Sequence, residues 1–415
     1  MKILYLVHQF FPSHYMGTER FTLDLARQMQ RIGHNPTVVS YDPSSGREGF
    51  ESIAAGILAK SYTYQGIPVI ALKHVNHSLG FEVFDAQIEE AFRKLRITGD
   101  LVHVTHPMRL SSAARLLKIA GTPFVMTLTD SWLLCPRAML DSHNRPCAGP
   151  GLGDRCALEY GPPVTSRLRE AKSLFDMADE VVVASRFLAA LFRSNGWKRT
   201  IRIIPHSIDY ATVRRSQNQS SGRITFAFIG TIAWHKGPHV LVKAFRKVPC
   251  PNARLRIYGS HDPQSDYFNR LLELARGDDR IQFMDAFAIQ SLPKVMADVS
   301  VIVIPSVYHE PYPLVMLISL AYKIPPIVSN TGGMPEVVKD GFNGFLFEPG
   351  DAAQLTNVIE RIAREPQVLQ ELRTNIVSPR RTEEEALDYE NIYRRHERQS
   401  CQHELSSHRH QNPTG

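Results

Sequence analysis

The sequence predicts an α/β protein built from two doubly wound domains that face each other across a cleft. Three observations carry this prediction. Short apolar, β-branched runs alternate with segments of helical period along most of the chain, the pattern of parallel sheets covered on both faces. The alternation breaks once, in a polar segment running from Arg214 to Gly222, and then restarts. At 415 residues the chain is long enough for two or three full cores.

The first half opens with an apolar run at 2–7, which reads as a first strand rather than a signal peptide because Gln9, Pro12, His14 and Glu19 follow at once. Phe21, Leu25, Met29 and Ile32 then recur at helical spacing over 19–32, and Gly33 ends the helix. Strands follow at 37–41, 68–72, 101–104, 124–128, 181–184 and 201–204. After the polar linker, strands are expected at 224–229, 255–258, 281–283, 300–304 and 326–328. Helices are expected at 238–247, 264–276 and 313–322. Helical stretches at about 351–364 and 382–398 close the ordered part, and the His-rich tail 399–415 reads as disordered.

Composition narrows the class. The chain is 43% hydrophobic and 21% charged, as expected of a soluble globular protein, and no apolar run approaches the roughly 18 residues of a membrane span. Five cysteines do not suggest a disulfide framework. A net charge of +7 fits a polyanionic small substrate or an anionic membrane surface, and equally fits simple solubility. No nucleic-acid-binding signature is present. Cys135, Cys147 and Cys156 have spacings unlike standard zinc patterns, so free thiols are expected rather than a zinc site completed by Glu159 or His143.

Ligands bind at the carboxyl ends of strands in open parallel sheets. The loops placed there carry the candidate residues: Gly17 to Glu19, His103 to His106 and Asp130 in the first half, then Gly230 to Gly237, Ser306 to Pro313 and Asn330 to Glu336 in the second. Lys236 stands beside a helix start opened by Gly237-Pro238, where free N–H groups favour anions. The N–H groups of Leu314 and Val315 would point out of the next such start. Glu310 lies just before it, and a carboxylate there suits sugar hydroxyls.

The ordered set of motifs resembles the large retaining glycosyltransferase family 4. Lys236-Gly237, Glu310-Pro-Tyr-Pro-Leu-Val, Asn330-Thr-Gly-Gly-Met-Pro-Glu336 and Gly341-Phe-Asn-Gly344 are similar to its C-terminal elements. Phe11-Pro12 with Gly17-Thr-Glu19, Arg31-Ile-Gly33-His34, Asp100-Leu-Val-His103, Thr127-Leu-Thr-Asp130-Ser-Trp132, Ala184-Ser185-Arg-Phe187 and Ile208-Asp209 are similar to its N-terminal ones. The resemblance covers residues 1 to about 396 and implies the GT-B fold. It further implies a Rossmann-like acceptor-side domain at 1–213, a linker at 214–222, a Rossmann-like nucleotide-sugar-binding domain at 223–380 and a helix at 381–398 crossing back to the first domain.

By the same resemblance, a sugar passes from a nucleoside diphosphate sugar, the co-substrate, to an acceptor hydroxyl on a carbohydrate or lipid, with retention and without a metal or other cofactor. Glu310, His106, His103 and Asp130 would face the reacting groups. Gly17, Gly230, Thr231, Lys236, Leu314, Val315, Gly332, Gly333 and Glu336 would hold the donor. A role in cell-surface polysaccharide or glycolipid synthesis is expected, in the cytoplasm or peripheral to the inner membrane face. Met16, Thr129, Thr231 and Ile318 depart from the family pattern. Ile318 stands where the second glutamate of Glu-x7-Glu accepts bonds from the ribose, so a catalytically impaired partner or regulatory subunit is the alternative reading.

Overall fold

The structure is a computed structural model that describes residues 1–54, 56–76, 82–138, 141–142, 145–147, 156, 163–209 and 223–410. The expected linker 214–222 lies outside them. The strands are β1 (Lys2–Val7), β2 (Asn35–Tyr41), β3 (Glu51–Ala54), β4 (Ile57–Tyr64), β5 (Ile67–His74), β6 (Leu101–Val104), β7 (Phe124–Leu128), the two-residue β8 (Asp141–Ser142) and β9 (Arg145–Pro146), β10 (Glu180–Val183) and β11 (Ile201–Ile203). Those of the second half are β12 (Ile224–Ile229), β13 (Ala253–Tyr258), β14 (Ile281–Met284), β15 (Val301–Ile304), β16 (Pro326–Ser329) and β17 (Phe345–Phe347).

The first sheet has the order β11-β10-β7-β6-β1-β2-β5-β4-β3, and the second β14-β13-β12-β15-β16-β17. The second is parallel throughout. In the first, β3 and β4 add to its edge in antiparallel pairing. The sequence reading omitted both strands. Their signal is local: Gln65 and Gly66 both take positive φ between Tyr64 and Ile67, the two-residue hairpin turn whose twist matches its flanking strands.

Each sheet reverses its winding once, and the reversal opens the crevice where ligands bind. In the first sheet this happens between β1 and β6, so the loops after Val7 and Val104 face outward there. In the second it happens between β12 and β15, exposing the loops after Ile229 and Ile304. The two crevices face each other.

The last helix, Thr382–His410, packs Ala386, Tyr389, Ile392 and Tyr393 against Ile3, Tyr5 and Val7 of the first domain, as a crossing-back helix should. It runs to His410 rather than ending at 398. No Gly or Pro stands between 399 and 410 to stop it.

Candidate active site

A cavity of about 460 Å³ lies between the domains. Gly17 opens the helix Gly17–Arg31 on one wall, and Leu314 opens the helix Leu314–Ala321 on the other. A Cβ at Gly17 would sit 3.7 Å from the Leu314 side chain, so the two helix starts nearly touch. Both present free N–H groups and positive dipole ends to the same space.

Lys236 adds a full charge. Its Nζ donates to Glu310 Oε1 at 2.6 Å and to the Tyr308 hydroxyl at 3.0 Å. Ser306 Oγ donates to the same carboxylate oxygen at 2.8 Å. Burial pushes the Glu310 carboxyl up, but the Lys236 ammonium and these hydrogen bonds outweigh it and hold the group below the usual carboxylate range. Lys236 is raised in turn, its own burial outweighed by the Glu310 charge.

Glycines fix this arrangement by letting backbones approach. A Cβ on Gly237, at φ 71°, would lie 1.8 Å from the Pro305 carbonyl oxygen, and one on Gly332, at φ 64°, would lie 2.0 Å from that of Glu310. Gly333 N–H donates to the same Glu310 carbonyl at 2.9 Å. Gly332 and Gly333 therefore buttress the Glu310 loop from behind, and neither belongs to the cavity lining. This corrects their expected place at the donor. Gly230 and Thr231 do line the cavity, and the buried Thr231 hydroxyl has no hydrogen-bond partner among the described residues.

Glu336 also leaves the expected donor group. Its carboxylate accepts the backbone N–H of Phe187 at 2.7 Å and of Arg186 at 2.9 Å. It thereby caps the helix Arg186–Ser194 of the opposite domain, at the positive end of that helix's dipole. A carboxylate three residues after a glycine pair gave no hint that its partner was a helix start about 150 positions away.

The two histidines separate. His103 is completely buried under the last helix, with Nδ1 2.5 Å from the Tyr393 hydroxyl and Nε2 2.7 Å from Thr127 Oγ1. Burial lowers its pKa to about 3, so it is an uncharged packing group rather than a residue facing the reacting sugar. His106 lies beyond the strand end. Its Nδ1 accepts from Met108 N–H at 3.2 Å, so Nε2 carries the proton directed at Asp130 Oδ2, 2.9 Å away. Asp130 Oδ1 accepts Trp132 N–H at 2.8 Å, and the carboxylate, about 30% exposed, borders the cavity.

Two lining residues had escaped assignment. The His8 ring lies 4.0 Å from that of His106, tilted by 37°, and Glu19 places Oε1 3.4 Å from His8 Nε2 while fully buried. Burial raises the Glu19 carboxyl and lowers His8 well below the usual imidazole range. Glu19 closes the candidate loop Gly17 to Glu19, but its burial and its contact with His8 leave no trace in the sequence.

Leu317 is buried in the core beside Ile302, Ile304 and Val328, whereas Leu314, Ile318 and Tyr322, spaced by four, are only partly buried against that core and also line a second cavity of about 200 Å³ that shares Leu314 with the first. Ile289, Leu292 and Pro293 complete its apolar side, and Arg20, Asp24 and Asp209 form its polar side.

Cys135, Cys147 and Cys156 form no disulfide, and no cluster suited to a metal occurs among the described residues. His143 and Glu159 lie outside them.

Two family models match in succession: Glycosyltransferase Family 4 over residues 15–212 and Glycosyl transferases group 1 over 209–378. An uncharacterized glycosyltransferase of Methanocaldococcus jannaschii is 25% identical over 372 residues, covering 87% of this chain and 89% of that protein. A D-inositol 3-phosphate glycosyltransferase of Mycolicibacterium smegmatis is 30% identical over 148 residues, 34% of this chain and 33% of its own length. Among solved structures, sucrose-phosphate synthase from Thermosynechococcus elongatus superposes with TM-score 0.71 at 19% identity, over 95% of this chain and 98% of that one. HepE of Anabaena, in complex with UDP and glucose, superposes with TM-score 0.69 at 19% identity, over 94% and 99%.

Proposed function

The chain belongs to the group 1, family 4 glycosyltransferases and has the GT-B fold, and we propose that it transfers a sugar from a nucleoside diphosphate sugar to an acceptor hydroxyl with retention of anomeric configuration. One observation carries the proposal: the starts of two helices, at Gly17 and Leu314, meet in one cavity beside the Lys236 ammonium.

That arrangement suits a diphosphate. As the bond from the anomeric carbon to the phosphate oxygen breaks, negative charge grows on the leaving group. Fixed N–H dipoles and an ammonium then stabilise the transition state more than the ground state. Glu310, anchored by Lys236 and Ser306, is placed to accept hydrogen bonds from hydroxyls of the donor sugar. Asp130, oriented by His106, lies on the opposite wall, toward the acceptor. The acceptor oxygen bonds to the anomeric carbon, and its proton passes to the departing phosphate. The nucleoside would occupy the second cavity beside Ile318.

Calorimetric titration of UDP, GDP and their sugars tests the donor reading, and the absence of any binding at millimolar concentration would sink it. The anomeric configuration of the product, read by NMR, tests retention. The non-catalytic alternative keeps one specific support, the apolar Ile318, and the same titration decides it.

The proposal includes a carbohydrate or lipid-linked acceptor in cell-surface polysaccharide or glycolipid synthesis, and a position at the inner membrane face. No helix of the described residues is long and apolar enough to cross a membrane. The basic stretch Arg93 to Arg96 would face such a surface, and it is partly neutralised, since Arg93 and Lys94 pair with Glu89 and Glu90 one turn earlier. Co-sedimentation with anionic vesicles tests the surface.

A further inference from the structure

The helices that start at Gly17 and Leu314 both run on from the first cavity to the second. Arg20, Phe21 and Asp24 stand three, four and seven residues after Gly17, on one face of the helix Gly17–Arg31, and all three line the second cavity. Ile318 stands one turn after Leu314 and lines the same cavity. At 1.5 Å per residue, Asp24 lies about 10 Å along its helix from Gly17, and Ile318 about 6 Å along its own from Leu314. A group bonded to a diphosphate at the two helix starts therefore enters the second cavity between the Asp24 face and the Ile318 face.

The two domains line that cavity differently. Ile289, Leu292, Pro293 and Ile318 of the second domain offer carbon and no side-chain acceptor. The charged groups among its described lining are three carboxylates, Asp24, Asp209 and Glu385, and one cation, Arg20. Such an excess of carboxylates opposes a further phosphate and favours a neutral group that donates hydrogen bonds. A nucleoside is such a group: its base has flat faces for the apolar wall, and its ribose has hydroxyls to donate.

The three carboxylates are not equivalent. Glu385 already accepts from His206 Nδ1 at 3.1 Å and from the N–H and hydroxyl of Ser207. Asp209 is exposed and would have to shed water to bind a ligand. Asp24 is 13% exposed, and Arg20 Nε donates to its Oδ2 at 2.7 Å, a contact that fixes the side chain. Its Oδ1 accepts no hydrogen bond among the described residues. Burial raises the Asp24 carboxyl despite the Arg20 charge, the mark of a carboxylate short of donors.

We infer that Asp24 accepts hydrogen bonds from the ribose hydroxyls of the donor nucleotide. The inference rests on the nucleotide-sugar reading above. The carboxylate absent at Ile318 is then supplied from the facing helix of the other domain, and Ile318 is a relocated contact rather than a lost one. Asp24 thereby selects ribonucleotides over their deoxy counterparts.

Calorimetric titration of the full chain with UDP, 2′-deoxy-UDP, 3′-deoxy-UDP and the corresponding guanine nucleotides tests it. Loss of a ribose hydroxyl should weaken binding about tenfold. Asp24→Asn should weaken the ribonucleotide by a similar factor and bind ribo and deoxy forms alike, whereas Asp209→Asn should keep the preference. Ile318→Glu placed in the Asp24→Asn background should restore it. Equal affinity of the unaltered protein for ribo and deoxy forms overturns the assignment, and this arm needs no variant to fold. A preference that survives Asp24→Asn, or that Asp209→Asn erases, also overturns it. Binding without hydroxyl preference leaves the donor reading standing, while no binding of any nucleotide at millimolar concentration removes that reading and the assignment together.

Discussion

Lys236 and Glu310, 74 residues apart in sequence, form a 2.6 Å ion pair in the wall of the interdomain cavity, and a third residue, Ser306, binds the same carboxylate oxygen. Removing one member of such a buried pair leaves the other charge stranded, at a cost of about 3 kcal/mol. Glu310→Ala and Lys236→Ala should each lower the unfolding midpoint in urea, and the double variant should lose less than the sum. Turnover should vanish in all three. Strictly additive losses would show that water already screens the pair.

Ile318 packs partly against the core and also lines a cavity, which gives a polar group at this position room to turn into that space. Ile318→Glu should tighten nucleotide binding about tenfold, the equivalent of one charged hydrogen bond of roughly 1.5 kcal/mol. Calorimetry with UDP and GDP reads this directly. Unchanged affinity in a folded variant would place the nucleoside elsewhere.

His103 and His106 should respond differently to substitution. His103→Ala removes one partner from each of Tyr393 and Thr127, which keep Tyr5 and Tyr389, and opens a cavity in the core; it should destabilise by about 1–3 kcal/mol while nucleotide affinity stays unchanged. His106→Ala frees the Asp130 carboxylate and should lower kcat with a smaller change in stability. Acid adds a check. The His103 pKa is depressed to about 3 from an unfolded value near 6.5, so its contribution is fully present above 6.5 and is lost as pH falls toward 3. His103→Gln should flatten the acid limb of the stability curve between those values.

Glu336 joins the domains through two backbone N–H groups of the helix at Arg186. Glu336→Ala should loosen the closed arrangement. Small-angle scattering should then report a larger radius of gyration, and kcat should fall with little change in nucleotide affinity. A direct donor contact would instead appear as weakened nucleotide binding with unchanged dimensions.

Glu19 is fully buried and its carboxyl is raised. A raised carboxyl favours the folded state while protonated, and this advantage is lost as pH rises through the folded-state pKa. Glu19→Gln should therefore raise the melting temperature at pH 8 by a few degrees, about 1 kcal/mol for a domain of this size, and should change little at pH 4. Equal effects at both values would mean that the charge is not what costs stability.

The sequence by itself determined the α/β class, the two-domain division, the cleft-facing loops and the cavity-lining residues Gly17, Thr231, Lys236, Glu310, Leu314 and Val315. Each follows from local information: strand period, helix-start chemistry, and the rule that strand carboxyl ends face the ligand. Tertiary structure alone decided the fate of His103, Gly332, Gly333, Glu336 and Ile318. Their roles depend on what approaches from far along the chain, as Tyr393 approaches His103 from 290 positions away. A strand residue's neighbours across the sheet, a carboxylate's capping partner and a helix face's exposure to a cavity are set by packing, which depends on atoms brought together in three dimensions and leaves no periodic trace in one.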